Sequence, residues 1–541
     1  MAASAHVDGF TKAGLPAGDA LPHLLFDLPE LAFPERLNAA AELVDRHVAA
    51  GDGKRRAILA PGIEWSYEEL LGRANRIARV LVEDAGLIPG NRVLLRAPNS
   101  PMLAACWLAV LKAGGVAVTT MPLYRATELA AIVEKAQVTH AICDSRLRDE
   151  LDAATGGRVR TLFFGDESDG NLDARMDAKS ADFENADTAA EDVAMIAFTS
   201  GTTGKPKAAM HFHRDILATC ATYGKYVLRP HRDDVFCGSP PLAFTFGLGG
   251  LLLFPLYAGA AAVFLERAGP EDLLRGIERF GITTIFTAPI AYRTMSGIAG
   301  RFNITSLRTC VSAGETLPRS VWDAWHAATG LKILDGIGST EMLHIFIGSP
   351  EAEVRPGSTG RPVSGYVAEI HDDDGRPVSD GTIGRLAVKG PTGCKYLDEP
   401  RQSQYVRDGW NYPGDTYRRD DDGYFWYVAR SDDMIVSAGY NISGPEVEQT
   451  LLLHPGVVEC AVVAKPDPAH DTHIVKAFVV LADAAQAGDA KSEELRAFCK
   501  AQIAPFKAPR EIEFVPALPR TETGKLQRYK LRENALPKAE R

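Results

Sequence analysis

Short apolar runs rich in β-branched residues alternate along the chain with longer stretches in which apolar positions recur every three or four residues. The short runs at 93–95, 116–118, 139–142, 261–264 and 283–286 predict strands. The longer stretches at 102–113 and 126–136 predict the helices between them. Strand–helix alternation of this kind predicts parallel sheets covered by helices. Residues 1–50 read as a leader followed by an amphipathic helix at 37–44. Residues 365–430 change period, with alternating strands at 366–370 and 385–388 and Asp-Gly turns between them, which predicts an antiparallel β subdomain. Beyond Arg430 a compact α+β pattern begins: a helix from Pro445, strands near 457–463 and 477–481, and a helix from Ser492. The Ala/Asp-rich stretch 482–490 reads as a solvated loop. The expected fold is therefore α/β. A large N-terminal domain of helix-covered sheets with a β subdomain spans 1–431, and a small mobile α+β domain spans 432–541.

Length supports this division, because 541 residues exceed one compact core. A net charge of −11 argues against general nucleic-acid binding, which shows a basic footprint. The eight cysteines include no Cys-x-x-Cys pair, so neither a zinc site nor a disulfide framework is expected. No basic stretch followed by an apolar one opens the chain, so no secretory signal is expected and a cytoplasmic location follows. Residues 235–265 carry no charge and are long enough to raise a membrane helix, but Pro240, Pro241 and Pro255 interrupt them, with Gly247, Gly249, Gly250 and Gly259 among the residues between. A buried loop, helix and strand is the expected outcome, with no membrane partner.

Candidate chemistry concentrates in Gly-bearing polar segments that follow strand-like runs. Thr199-Ser-Gly-Thr-Thr-Gly-Lys-Pro-Lys207 places hydroxyls, glycines and lysines directly after an apolar run. Glycines let backbone N–H groups approach anionic oxygens, hydroxyls donate hydrogen bonds, and lysines supply charge, so this is a candidate polyphosphate loop. Its spacing is not that of a Walker A loop, since only Thr202 and Thr203 separate Gly201 from Gly204-Lys205. A solvated turn accounts for the same residues. Further segments follow in order: Ser312-Ala-Gly-Glu-Thr-Leu-Pro318, Asp335-Gly-Ile-Gly-Ser-Thr-Glu341, Tyr412-Pro-Gly-Asp415, Arg430-Ser-Asp-Asp433 and Pro519-Arg-Thr-Glu-Thr-Gly-Lys525.

In the order and spacing of these motifs, over nearly its whole length, the chain resembles the adenylate-forming superfamily of acyl-CoA synthetases, luciferases and peptide-synthetase adenylation domains. The resemblance implies a two-step reaction in which a carboxylate attacks the α-phosphate of ATP and a thiol then displaces AMP. It implies ATP, Mg²⁺ and coenzyme A as cofactor and co-substrates. By the resemblance, Thr199, Ser200, Gly201, Thr202, Thr203 and Lys207 hold the β,γ-phosphates. Thr340 bonds the α-phosphate and Glu341 helps hold Mg²⁺. Asp415 accepts the ribose hydroxyls, Arg430 contacts ribose and phosphate, and Gly314, Glu315 and Asp335 line the adenine. Lys525 becomes the catalytic lysine that bridges the substrate carboxylate and the α-phosphate. Asp432 becomes the hinge, and Gly439 lies at the pantetheine tunnel.

The segments Leu334-Asp-Gly-Ile-Gly-Ser-Thr-Glu-Met-Leu-His-Ile-Phe346 and His211-Phe-His-Arg-Asp215 are similar to those of benzoate– and 2-aminobenzoate–CoA ligases. That likeness implies a small aromatic carboxylic acid as substrate. Phe244, Thr245, Gly336, Ile337, Gly338, His344 and Ile345, with Phe246, then border the ring. Thr245 stands where amino-acid-activating domains carry an aspartate, which argues against an α-amino acid. Thr245, Ser339 or His344 offer an acceptor for an ortho-amino group. A satisfied core histidine remains an equal reading of His344, and His211 and His213 read as structural. A carrier-loading adenylation enzyme is the alternative activity, and a nucleotide-binding module without catalysis is a third reading. Neither nucleic acid nor membrane is expected as partner, and the sequence leaves room for a homodimer.

Overall fold

The computed structural model describes residues 2–168, 170–199, 206–430, 433–437, 440–467, 472–520 and 526–535. Ser200, Gly201, Thr202, Thr203, Asp432, Gly439 and Lys525 lie outside the described residues. Two large sheets build the N-terminal part. One has the strand order Arg160–Phe164, His140–Asp144, Arg92–Arg96, Val116–Thr120, Val193–Thr199, Lys207–Phe212. Its strands run parallel except for the last pair, which is antiparallel. The other runs Arg361–Pro362, Ile345–Gly348, Ile333–Gly338, Thr309–Ser312, Thr284–Thr287, Val235–Gly238, Ala261–Val263, Arg56–Ala60, Ile63–Ser66. It is parallel from Ile333–Gly338 through to Arg56–Ala60.

The core lies between these layers and explains why the apolar runs are nearly continuous. Arg92–Arg96 is buried at every position, as a parallel strand covered on both faces must be. Helix Pro101–Lys112 is buried along its whole length except at Met102. Ser100 caps it, its Oγ accepting from the Leu103 N–H at 3.2 Å, and Pro101 sits where a missing N–H costs nothing. Each fully buried leucine in it stabilises the fold by about 1.5–3 kcal/mol. Lys112, itself buried, ends the helix on the Asp45 carboxylate at 2.6 Å.

The charge-free stretch 235–265 becomes the strand Val235–Gly238, the helices Thr245–Leu248 and Phe254–Ala258, and the strand Ala261–Val263. No helix among the described residues is long and apolar enough to cross a membrane. The leader reading of the N-terminus is corrected. The backbone N–H groups of Val7, His23 and Leu25 donate to Pro89, Gly409 and Gly390, which fixes this segment across both the first sheet and the β subdomain.

The β subdomain pairs Ile383–Lys389 with Val367–His371, Trp410–Asn411 and Asp415–Arg419, and the last of these with Phe425–Arg430. Past residue 433 the hairpin Met434–Ser437/Tyr440–Ser443 leads into helix Gly444–Leu452, capped by Ser443. A three-stranded sheet of Val457–Asp467, Thr472–Leu481 and Glu511–Phe514 then packs with helices Asp489–Gln502 and Arg528–Ala535 around a core of its own.

Candidate active site

The strands that flank the phosphate-loop motif, Val193–Thr199 and Lys207–Phe212, pair antiparallel. Thr199 and Lys207 face each other in antiparallel register, which sets the two ends of the motif side by side; Ser200 to Lys205 lie outside the described residues. The second strand of this pair has another neighbour. Ala209 bridges to Tyr396, and the Met210 and Leu397 N–H groups donate to the Lys395 and Ala208 carbonyls. This pairing brings Tyr396 beside Lys207, whose Nζ lies 3.3 Å from the Tyr396 hydroxyl. The Tyr396 hydroxyl in turn donates to Glu341 Oε1. One tyrosine thus joins the end of the phosphate loop to the Thr340-Glu341 turn. Burial, with the Glu341 carboxylate beside it, pushes the Tyr396 hydroxyl far above its usual range, so it stays a donor.

Beneath the same turn lies a buried charged cluster. His211 Nε2 is 2.8 Å from the Thr340 carbonyl, and Lys395 Nζ is 2.8 Å from Asp215 Oδ2. Burial alone would raise the Asp215 carboxyl, but Lys395 and His211 outweigh it and hold it well below the usual carboxylate range. From the other side, the Tyr405 hydroxyl bonds Ser339 Oγ at 2.9 Å, and Ser339 Oγ accepts the Met342 N–H.

Sheet register places the residues expected to face the nucleotide. Asp335 pairs with Ser312 across neighbouring parallel strands, and the loop after Ser312 carries Gly314 and Glu315. Gly314 has φ +89°, a backbone region open to glycine. Although Asp335 is only partly covered as a residue, burial of its carboxyl pushes it well above the usual range, opposed only weakly by the Gly336 N–H. Asp415 and Arg430 are directly opposite across two antiparallel strands, 3.6 Å apart, with Asp415 buried and the arginine half-exposed. Among the described residues no group of three or more His, Cys, Asp or Glu gathers for a metal. Glu341, buried and steadied by Tyr396, offers a single carboxylate. That donor set fits Mg²⁺, which takes few protein carboxylates and completes its shell with phosphate oxygens and water.

Leu343 has φ +70°, a strained conformation for a residue with a side chain. It turns the chain between Glu341, which faces the phosphate loop, and His344, which faces an aromatic box. The His344 ring lies 4.7 Å from Phe254, 5.2 Å from Tyr223, 5.9 Å from Phe246 and 6.4 Å from Phe286. A Cβ on Gly249 would fall 2.3 Å from His344, and one on Gly250 would fall 2.5 Å from Phe286, so the two glycines admit these rings. Gly336 likewise admits Ile345, whose Cγ2 a Cβ there would meet at 2.7 Å. Gly338 sits where a Cβ would strike the His344 carbonyl at 2.6 Å, and Ile337 pairs with Ile347. Neither nitrogen of His344 has a hydrogen-bond partner among the described residues, nor does the Tyr223 hydroxyl. Burial lowers the His344 pKa to about 3, so the ring is neutral. The Phe246 backbone lies close enough to oppose that shift weakly, so His344 is a buried ring with at most one weak polar partner. The ring that meets it is Phe246, whereas Phe244 caps the short helix Thr245–Leu248.

Of the residues expected from sequence, the structure brings together Lys207, Thr340 and Glu341 on one side of this turn, and Phe246, His344, Ile345 and Gly336 on the other. Sequence reasoning missed Tyr396, Lys395, Tyr223, Phe254 and Phe286. The signal nearest to Tyr396 was its place in a polar-aromatic run, Gly393-Cys-Lys-Tyr396, outside every motif. It also missed that His211 and Asp215 hold the Thr340 turn.

Comparison with known proteins gives the family. The model of the AMP-binding enzyme family matches residues 45–395, and that of the AMP-binding enzyme C-terminal domain matches 446–525. The benzoate–CoA ligase of Thauera aromatica is 36% identical over 516 residues, covering 93% of this chain and 97% of that protein. The structure of the anthranilate CoA ligase AuaEII in complex with anthranoyl-AMP superposes with a TM-score of 0.88 at 33% identity, covering 94% of this chain and 99% of that one. A benzoate CoA ligase from Burkholderia xenovorans LB400 superposes with a TM-score of 0.83 at 32% identity, covering 92% and 100%. The chain belongs to the AMP-binding enzyme family, with the α/β fold of adenylate-forming enzymes and a separate C-terminal domain. Within that family it is an AMP-forming acid–CoA ligase of the acyl-CoA synthetase type, which uses ATP and coenzyme A.

Proposed function

We propose that this ligase activates 2-aminobenzoate or benzoate. The observation that carries the reading is the aromatic box around His344, formed by Tyr223, Phe246, Phe254 and Phe286, whose rings Gly249 and Gly250 let approach closely. A flat aryl acid needs an apolar slot with few polar anchors. The unpartnered Tyr223 hydroxyl and His344 nitrogens are such anchors for an ortho-amino group.

In the first step an oxygen of the acid attacks the α-phosphorus, and the bond to pyrophosphate breaks. Thr199, Ser200, Gly201, Thr202, Thr203 and Lys207 hold the leaving pyrophosphate. Thr340 donates to the α-phosphate, and its placement is fixed by His211 on its carbonyl. Asp415 and Arg430 hold the ribose, while Gly314, Glu315 and Asp335 border the adenine. Glu341 would hold Mg²⁺, which neutralises phosphate charge. Lys525 bridges the acid and the α-phosphate as charge develops, a contribution that counts because it is made in the transition state. In the second step the thiol sulfur of coenzyme A attacks the acyl carbon, its proton is lost, and AMP leaves. The C-terminal domain turns about Asp432 to admit the pantetheine past Gly439.

The test is pyrophosphate release with ATP, Mg²⁺ and a panel of acids. Benzoate and 2-aminobenzoate should exceed medium-chain fatty acids by at least tenfold in kcat/KM, and preference for the fatty acids sinks the reading. Thioester formation that requires a carrier protein rather than coenzyme A would also count against it. Lys525→Ala should abolish adenylate formation while preformed acyl-adenylate still reacts with coenzyme A.

A further inference from the structure

One arginine joins the C-terminal domain to the nucleotide loop. The Arg520 guanidinium reaches Glu315 Oε1 at 3.1 Å through Nη1 and Glu459 Oε1 through Nη2. Glu315 belongs to the loop after strand Thr309–Ser312, beside Asp335. Glu459 lies near the start of strand Val457–Asp467 in the small domain. The residue before it, Val458, accepts through its carbonyl from Arg293 on the large domain's helix Pro289–Ser296. Arg293 of the large domain and Arg520 of the small one thus meet adjacent residues of strand Val457–Asp467, and Arg520 also reaches the nucleotide loop. All three side chains of the bridge are about three-quarters covered, so solvent screens them less than surface ions.

The chain around Arg520 is itself pinned. Arg520 bridges to Leu526, and the Gln527 N–H donates to the Pro519 carbonyl at 2.9 Å. In the sequence Lys525 follows Arg520 by five residues and immediately precedes Leu526. The bridge to Glu315 therefore anchors, at the nucleotide loop, the short strand pair on either side of the segment that carries Lys525.

We propose that Arg520 is a positioning residue for adenylate formation. By spanning Glu459 and Glu315 it seats the C-terminal domain on the nucleotide loop for the first half-reaction, and it has no part in the second. This inference rests on the reading of Lys525 as the adenylation lysine. A bridge made in only one domain orientation favours that orientation by its differential energy, so its loss lowers the population able to adenylate.

The experiment uses the full-length enzyme with each half-reaction measured separately at saturating substrates. Arg520→Ala should slow acyl-adenylate formation about tenfold and leave transfer from preformed acyl-adenylate to coenzyme A within about twofold. Glu459→Gln should give a smaller loss in the same half-reaction only. Arg520→Ala combined with Glu315→Gln should be no slower in adenylation than the slower single variant. Equal loss in both half-reactions, an unchanged adenylation rate, or additive effects of the pair overturns the proposal. Lys525→Ala is run beside them. If it adenylates normally, the reading of Lys525 fails first. If it is inactive while Arg520→Ala is normal, only the role of Arg520 fails.

Discussion

Single side chains at this site are used twice, once for a neighbour and once for chemistry. Tyr396 holds Glu341 and meets Lys207, so one hydroxyl sets the spacing between a candidate metal ligand and the end of the phosphate motif. Tyr223 is the opposite case, a buried hydroxyl without a partner among the described residues. Leaving such a group unpaired costs about 1–3 kcal/mol. Tyr223→Phe should accordingly leave the melting temperature unchanged or raise it, while lowering kcat/KM for 2-aminobenzoate relative to benzoate by about three- to tenfold. A fall in both acids alike would show that the hydroxyl does not read the ortho position. The adenylation motifs were legible in the sequence because each is contiguous. Tyr223, Phe254 and Phe286 were not, because they reach His344 from three separate segments and nothing local marks them.

At the scale of elements, the strand pair Val193–Thr199/Lys207–Phe212 is the frame of the proposed ATP site. Its outer edge carries 394–397, and its inner residues carry His211 and, just beyond, Asp215. The strands were readable from their apolar runs, but the second strand of the pair was not, since Lys207, His211 and the glycines before it read as a polar loop. Asp215 and Lys395 make the joint between strand pair and edge segment fully buried. Breaking such a pair by removing one partner costs about 3–5 kcal/mol, because a charge is left uncompensated. Lys395→Met should lower the melting temperature by several degrees and raise the KM for ATP as the Thr340 turn loosens. Asp215→Asn with Lys395→Met should recover part of the stability, which a purely local packing defect at Lys395 would not allow.

Across the whole molecule, burial sets how the fold responds to acid. His213 and His344 are buried and neutral, with pKa lowered to about 3 by desolvation from the ordinary 6.5. The unfolded chain binds their protons and the folded chain does not, so stability is full above pH 6.5 and falls as pH drops from 6.5 toward 3. The loss is of order 2 kcal/mol for each histidine by pH 5. Asp215, held low by Lys395 and His211, adds to it in the same direction at lower pH. The melting temperature should therefore be flat between pH 7 and 8 and fall steeply between 6 and 5. A melting temperature unchanged down to pH 5 would mean that these rings are solvated.

The sequence by itself determined the α/β class, the antiparallel subdomain, the separate C-terminal core and the order of the adenylation motifs. These depend on local periodicity and on contiguous residues, which a single chain displays directly. Only the tertiary structure decided that the strands flanking the phosphate motif pair antiparallel, that Phe246 rather than Phe244 meets His344, and that Arg520 joins two domains through Glu459 and Glu315. Each of these joins residues far apart in sequence, and such contacts depend on strand register and on which glycine lets two rings approach. No local pattern carries that information.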